Sequence, residues 1–216
     1  MHMPTELLVR IPVDDIQIEG ALVLPPKAQA LVLFAHGSGS SRHSPRNNFV
    51  ARELHAQHLG TLLLDLLTQS EDQDYQTRFD IPLLTHRLLA ATRWVLLDPA
   101  TRRLPLAYFG ASTGAAAALQ AAAAIGPEIR AVVSRGGRPD MAGHHDLARV
   151  QAPTLLIVGG NDTEVLALNR DACARLHCDK ELSVIPGATH LFEEAGALEE
   201  VARQAAAWFR RHLRGL

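Results

Sequence analysis

The stretch LPLAYFGASTGAAAALQAAAAIG (residues 104–126) decides how the rest of the chain is read. An apolar run stops at Gly110. One serine, Ser112, then stands between Gly110 and Gly114, and an almost all-alanine segment follows. The run reads as a buried strand (104–109) and the alanine segment as a helix (112–125), since alanine has the highest helix propensity. A lone hydroxyl at this junction has two readings. It is a helix N-cap, which needs no reactivity, or it is a nucleophile lifted out of a sharp strand-to-helix turn. Such a turn strains the serine backbone, and small residues two positions to either side relieve the crowding. The strand–turn–helix setting favours the nucleophile.

Outward from this stretch the chain alternates. ELLVRIPV and IQIEGALVLP flank Asp14-Asp15 and predict an antiparallel pair. Apolar runs at 30–35, 61–67, 129–135, 154–160 and 181–187 read as further strands, about eight in all. Helical periodicity falls between them at 47–59, 81–98, 165–177 and 197–213, with Asp80 as N-cap of the second. Strand and helix in strict alternation predict an α/β fold, a mostly parallel sheet with helices on both faces. The 216 residues suit a single domain spanning 1–216. The opening Met1-His2-Met3 is set aside from this reading.

Composition narrows the function classes. The chain is 47% hydrophobic and 20% charged, with a formal net charge of -2. It has no dense Lys/Arg cluster, so no nucleic-acid partner is expected. No apolar run is long enough to cross a membrane, and no signal peptide is expected. Cys173 and Cys178 suit neither a disulfide framework nor a zinc site. They read as free thiols of a reducing compartment, so the expected location is the cytoplasm.

In a parallel sheet, chemistry gathers in the loops at the carboxyl ends of the strands. Here those loops are HGSGSS (36–41), TQSEDQDYQTRFD (68–80), GASTG (110–114), RGGRPD (135–140), GGNDTE (159–164) and GATHLF (187–192). A serine hydroxyl needs a base. Among the eleven histidines, His55, His58, His86, His177 and His212 lie on or beside predicted helices, whereas His190 follows the last strand on the loop edge. Asp162 follows the preceding strand and is preferred over Glu164 and Asp140 as the orienting acid. The chain order Ser112, Asp162, His190 completes a nucleophile–acid–base set. A tetrahedral intermediate also needs oxyanion donors. The N–H of Thr113 is one, and the N–H of Ser38 the other, with Gly39 as second choice. His36 reads as a structural hydrogen-bonding residue.

The motifs LVLFAHGSGSS, YFGASTGAAAAL, SRGGRPD, TLLIVGGND and IPGATHLFEE together resemble the α/β-hydrolase superfamily and, within it, the dienelactone-hydrolase-like family. The resemblance covers nearly the whole chain from about residue 20 onward. It implies Ser112, Asp162 and His190 as a catalytic triad, with backbone donors at Ser38 and Thr113. Dienelactone hydrolases proper resemble this chain in fold but use a cysteine where Ser112 stands, which points to a general serine esterase. Relatives in this subgroup also resemble partners of phosphoribosyltransferase domains in longer chains, and no such domain is expected in these residues.

Only about eighteen residues separate the strand ending at Arg135 from the one starting at Thr154. No cap domain is expected there, which predicts an open site suited to short acyl esters. Arg135 and Arg138 have two readings: a substrate carboxylate or phosphate clamp, or a structural ion pair with Asp140. Phe79, with Tyr75 and Arg78, is a candidate substrate contact from the polar loop 68–80. The expected activity is cleavage of a small-molecule carboxylic ester through an acyl-enzyme, without cofactor or metal. Thioester or lactone hydrolysis and acyl transfer share the same triad, and a non-catalytic binding module shares the fold. The oligomeric state is left open by the sequence.

Overall fold

A computed structural model describes residues 5–213, so Met1-His2-Met3 lie outside the described residues. Eight strands form one sheet: β1 (Glu6–Val13), β2 (Ile16–Val23), β3 (Ala30–Ala35), β4 (Leu59–Leu64), β5 (Leu106–Ala111), β6 (Ile129–Arg135), β7 (Thr154–Gly159) and β8 (Lys180–Ile185). Their order across the sheet is β1-β2-β4-β3-β5-β6-β7-β8. β1 and β2 form the expected antiparallel pair, and β2 joins β4 antiparallel. From β4 to β8 every neighbour is parallel. The helices are α1 (Pro45–Ala56), α2 (Ile81–Leu97), α3 (Thr113–Ile125), α4 (His144–Arg149), α5 (Thr163–Arg175) and α6 (Ala197–Leu213).

The continuous apolar strands are explained by two cores. Along β3, Leu31, Leu33 and Ala35 enter one core, beneath α2, α3, α4 and α5. Ala30, Val32 and Phe34 alternate into the other, beneath α1 and α6. Successive side chains of a strand point to opposite faces, so a strand covered on both sides must be apolar throughout. None of the helices among the described residues is long and apolar enough to cross a membrane.

The element limits differ from the sequence expectation where local turns intervene. α1 starts at Pro45, capped by Ser44, and ends at Ala56. The chain then reverses through His58 at φ 58°, so β4 starts at Leu59. α4 and the 3₁₀ turns at Glu71–Gln73 and Thr77–Phe79 are too short to leave a periodic signal. Between β6 and β7 the chain holds only the 3₁₀ turn Pro139–Ala142 and α4, so there is no cap domain.

β3 lies between β4 and β5, so the strand order reverses there. The loops that follow β3 and β5 therefore part and open a crevice at the carboxyl edge. Ser112 stands at the end of β5 beside it. The helix that follows packs closely onto the sheet. Ala115, Ala116, Ala117 and Ala118 are fully buried. A Cβ on Gly114 would lie 2.2 Å from the Ala35 carbonyl oxygen and 2.4 Å from that of His36. A Cβ on Gly110 would lie 2.5 Å from the Ala115 Cα. The two glycines thus serve different contacts: Gly110 clears the following helix, and Gly114 clears the end of β3.

Gly114→Ala should lose about 3 kcal/mol, the upper end of the overpacking range, because backbone cannot move aside. Gly126, at φ 71° in open space, is the control: Gly126→Ala should lose about 1 kcal/mol, from backbone strain alone. Urea denaturation measures both. Equal losses would show that α3 can move off the sheet.

Candidate active site

Among the described residues, four with capping chemistry occupy α-helix N-cap positions, and they divide into two pairs. Ser44 and Asp80 behave as caps, accepting from the N–H groups of Asn47 (3.3 Å) and Leu83 (3.0 Å). Ser112 precedes α3 and Asp162 precedes α5, yet neither side chain makes a capping hydrogen bond. Both are left available for other partners. Helix capping therefore does not explain Ser112.

Ser112 adopts φ 50° and ψ -121°, a strained conformation for a residue with a side chain. The surroundings hold it there. Its N–H donates to the Arg135 carbonyl (3.3 Å), and its carbonyl accepts from the N–H groups of Ala115 (3.1 Å) and Arg138 (3.1 Å). β6 and the loop after it therefore brace the turn that β5 and α3 create. Gly37 packs from the other side, where an added Cβ would lie 3.1 Å from the Ser112 Cβ.

Asp162 turns its carboxylate to His190, whose Nδ1 is 2.6 Å from Oδ2. An ionised carboxylate only accepts, so Nδ1 carries the proton and Nε2 is the ring's acceptor. The Asp162 side chain is largely buried, while that of His190 is partly open. Gly159 lets the two loops meet: an added Cβ would lie 2.3 Å from the Ala188 carbonyl oxygen. Gly136, at φ 51°, makes room for the imidazole, whose Cε1 would lie 3.5 Å from a Cβ there. His190 and Ser112 line one cleft of about 190 Å³, with no hydrogen bond between them among the described residues. Catalytic contacts in unliganded sites are often loose and tighten only around substrate. Of the rival acids, Asp140 is engaged by Arg138, and Glu164 is exposed on the first turn of α5.

Thr113 is the first residue of α3, so its N–H is one of the four a helix leaves unpaired. Ser38 lies across the same cleft, on the loop after β3. His36 anchors that loop. Its Nδ1 donates to the Gly37 carbonyl (2.9 Å), and its Nε2 accepts from the Leu66 N–H (3.0 Å). Both ring nitrogens are engaged, as a structural role requires. Arg78 supports the loop from behind: it holds Asp72 through Nε (3.0 Å), and its Nη1 lies 3.3 Å from the position of a Gly39 Cβ.

The candidate substrate contacts separate. Arg138 forms a two-point ion pair with Asp140, at 2.9 and 2.8 Å, which is the structural reading. Phe79 packs against Tyr75, with ring centroids 5.0 Å apart, and neither lines the cleft that holds Ser112. That loop curls into 3₁₀ turns held by Arg78–Asp72 and Arg87–Glu71 contacts, which keeps its aromatic residues together. Arg135 does line the cleft, buried at 8% exposure. Sequence reasoning missed Arg46 and Asn47, which the first turn of α1 brings to the same cleft. Their only sequence signal is the SPRN cap itself, which reads as ordinary helix initiation.

This strand order and this Ser112 turn define an α/β-hydrolase without a cap. The model of the dienelactone hydrolase family matches residues 65–214, and the chain belongs to that family. A dienelactone hydrolase from Anabaena variabilis is similar at 53% identity, with a TM-score of 0.95 over 99% of this chain and all of that one. Est1E from Butyrivibrio proteoclasticus shares the fold at 16% identity, with a TM-score of 0.82 over 95% of this chain and 98% of that one. A Mycobacterium tuberculosis protein, provisionally named a phosphoribosyl transferase in strains CDC 1551 and H37Rv, is 53% identical over 207 residues, 96% of this chain. The chain spans about half the length of these curated relatives, 46% of each.

The buried His36 sets a pH dependence. Burial holds its imidazole below the ordinary value of 6.5, against smaller opposing effects of the Gly37 carbonyl, Asp65 and Asp72. Above that value folded and unfolded chains both hold it neutral, and its contribution to stability is complete. As pH falls through 6.5 the unfolded chain takes up a proton that the folded chain refuses. Stability then declines until the folded value is reached. His55 and His212, also lowered by burial, act in the same direction. Denaturation midpoints should therefore drop from about pH 7.5 to about pH 5.5, with a shallower slope in His36→Gln. Equal slopes would exclude His36 as a main contributor.

Proposed function

We propose that the chain is a serine esterase acting on small carboxylic esters through an acyl-enzyme. The observation that carries this reading is the pairing of an uncapped, strained Ser112 with the 2.6 Å His190–Asp162 contact across one cleft. In this reading His190 Nε2 takes the Ser112 hydroxyl proton as Oγ attacks the ester carbonyl. Asp162 holds the imidazole in the required tautomer and stabilises the imidazolium. The N–H groups of Thr113 and Ser38 hold the negative oxygen of the tetrahedral intermediate. His190 returns the proton to the departing alcohol, then activates the water that releases the acid. In this reading the steps draw on these side chains, the backbone N–H groups and water. Ser112 in place of the cysteine implied for dienelactone hydrolases proper supports a broader esterase activity.

The phosphoribosyl transferase name belongs to relatives about twice as long, and the esterase reading concerns the part of them that this chain matches. The half-buried thiols Cys173 and Cys178, both unpaired, support the cytoplasm as the working location. The absence of a cap and the small cleft support short acyl groups.

A fluorophosphonate should add once to the wild-type chain and not to Ser112→Ala, read by intact mass. An equal adduct on the variant, or none on wild type, would end the serine-hydrolase reading. Across a series of aryl esters, kcat/KM should peak at short acyl chains and fall as the chain lengthens. A rise toward long chains would contradict an unlidded cleft.

A further inference from the structure

Arg135 is a cation without an anion among the described residues. Its side chain lies at the end of β6, almost fully buried. A guanidinium carries five N–H donors. Here one hydrogen bond is made, from Nη2 to Asn47 Oδ1 at 3.4 Å, while Nε has no partner among the described residues. The Phe192 ring also lies beside it, 5.9 Å from the guanidinium carbon. No carboxylate pairs with it among the described residues. Burial, then the neighbouring Arg46, pushes the guanidinium down to about 10, so it stays charged at neutral pH. A buried charge left without a counter-ion is unfavourable unless something else meets it.

Arg46 repeats the pattern in part. Its Nε is also buried and unpartnered, and its one acidic contact among the described residues is the exposed Glu193, at 3.4 Å. Both arginines line the cleft that holds Ser112 and His190. Ser40 and Ser44 line it too, with the amino end of α1, and none of the lining residues is acidic. Two guanidinium groups, neutral hydroxyl donors and no lining carboxylate make a site for an anion, built into the wall of the reaction cleft. The other arginines nearby are spent: Arg138 on Asp140, Arg78 on Asp72, Arg42 on Glu19 and Asp65.

We infer that Arg135 and Arg46 form a phosphate subsite, and that the esters this site takes carry a phosphate monoester beside the reacting carbonyl. This rests on the esterase reading for the reaction and on the cleft alone for the anion. A phosphate dianion matches two cations, and its tetrahedral oxygens reach donors in several directions. A carboxylate offers one charge and two oxygens in a plane. The cleft that Arg46 and Arg135 share with Ser112 holds about 190 Å³, enough for a phosphate group beside the reacting carbonyl.

The test reads anion binding first, without turnover. Titration calorimetry with inorganic phosphate should give one site per chain, and acetate should bind about ten-fold more weakly or worse. Arg46→Gln, on the partly open α1, and Arg135→Lys should each weaken phosphate about ten-fold or more. Circular dichroism checks their folding, and if Arg135→Lys does not fold, Arg46→Gln decides alone. In wild type, kcat/KM for a phosphorylated small ester should exceed that for its neutral counterpart, and the ratio should fall in Arg46→Gln. Acetate binding as tightly as phosphate would overturn the proposal in favour of a carboxylate subsite. So would phosphate binding that survives both substitutions. A chain that binds phosphate but takes no fluorophosphonate loses the esterase reading alone. A chain that is labelled at Ser112 but ignores phosphate loses the subsite alone.

Discussion

The closeness of α3 to the sheet is the constraint on which the rest depends. Its first turn sits against the carbonyl oxygens of Ala35 and His36, with only the hydrogen of Gly114 between. That contact forces the sharp turn at Ser112 and sets its backbone at φ 50°. It also brings the free N–H of Thr113 opposite the loop that begins at Gly37. An added methyl group at Gly114 or Gly110 would push α3 away and relax the turn. The alanine tract extends the same close packing along the helix. The strain at Ser112 is therefore a consequence of packing elsewhere, held by hydrogen bonds from β6 and its loop.

The electrostatics of the cleft follow from what each polar group is denied. Ser112 and Asp162 sit where serine and aspartate usually cap helices, and both forgo the cap. Asp162 spends its carboxylate on His190 instead. Arg138, two residues after Gly136, finds Asp140 within its own turn and is neutralised locally. Arg135 points back into the cleft, where no acid lines the wall. Two arginines three residues apart thus have opposite situations, since Arg138 has an acid two residues along its own turn and Arg135 has none among the described residues.

Much of this was legible in the sequence because periodicity and turn chemistry are local. The limits of β6 and α6 match the expected spans, since Pro127-Glu128 and Gly136-Gly137 bracket β6 and Gly196 precedes α6. Asp80 capping α2 was legible for the same reason. The lack of a cap domain followed from counting residues between two strands. Arg46 and Asn47 were not legible, because a serine–proline helix start has the same appearance wherever it lies. Phe79 was expected near the substrate from its loop, yet its ring settles on Tyr75 because the loop folds on itself through Arg78 and Asp72. The reason for Gly114 was only half visible: its obstacle is the end of β3, seventy-odd residues earlier in the chain.

By itself the sequence determined the alternating α/β architecture, the edge on which chemistry collects, and the trio Ser112, Asp162 and His190 as its candidates. These depend on side-chain type and spacing, which short segments carry on their own. The tertiary structure alone decided that Ser112 makes no cap and that Asp162 reaches His190. It alone decided that Arg138 is paired with Asp140 while Arg135 meets no acid among the described residues. Each of those outcomes depends on which groups from distant segments come within a few ångströms. Only the packed sheet, with its helices pressed onto both faces, determines that distance.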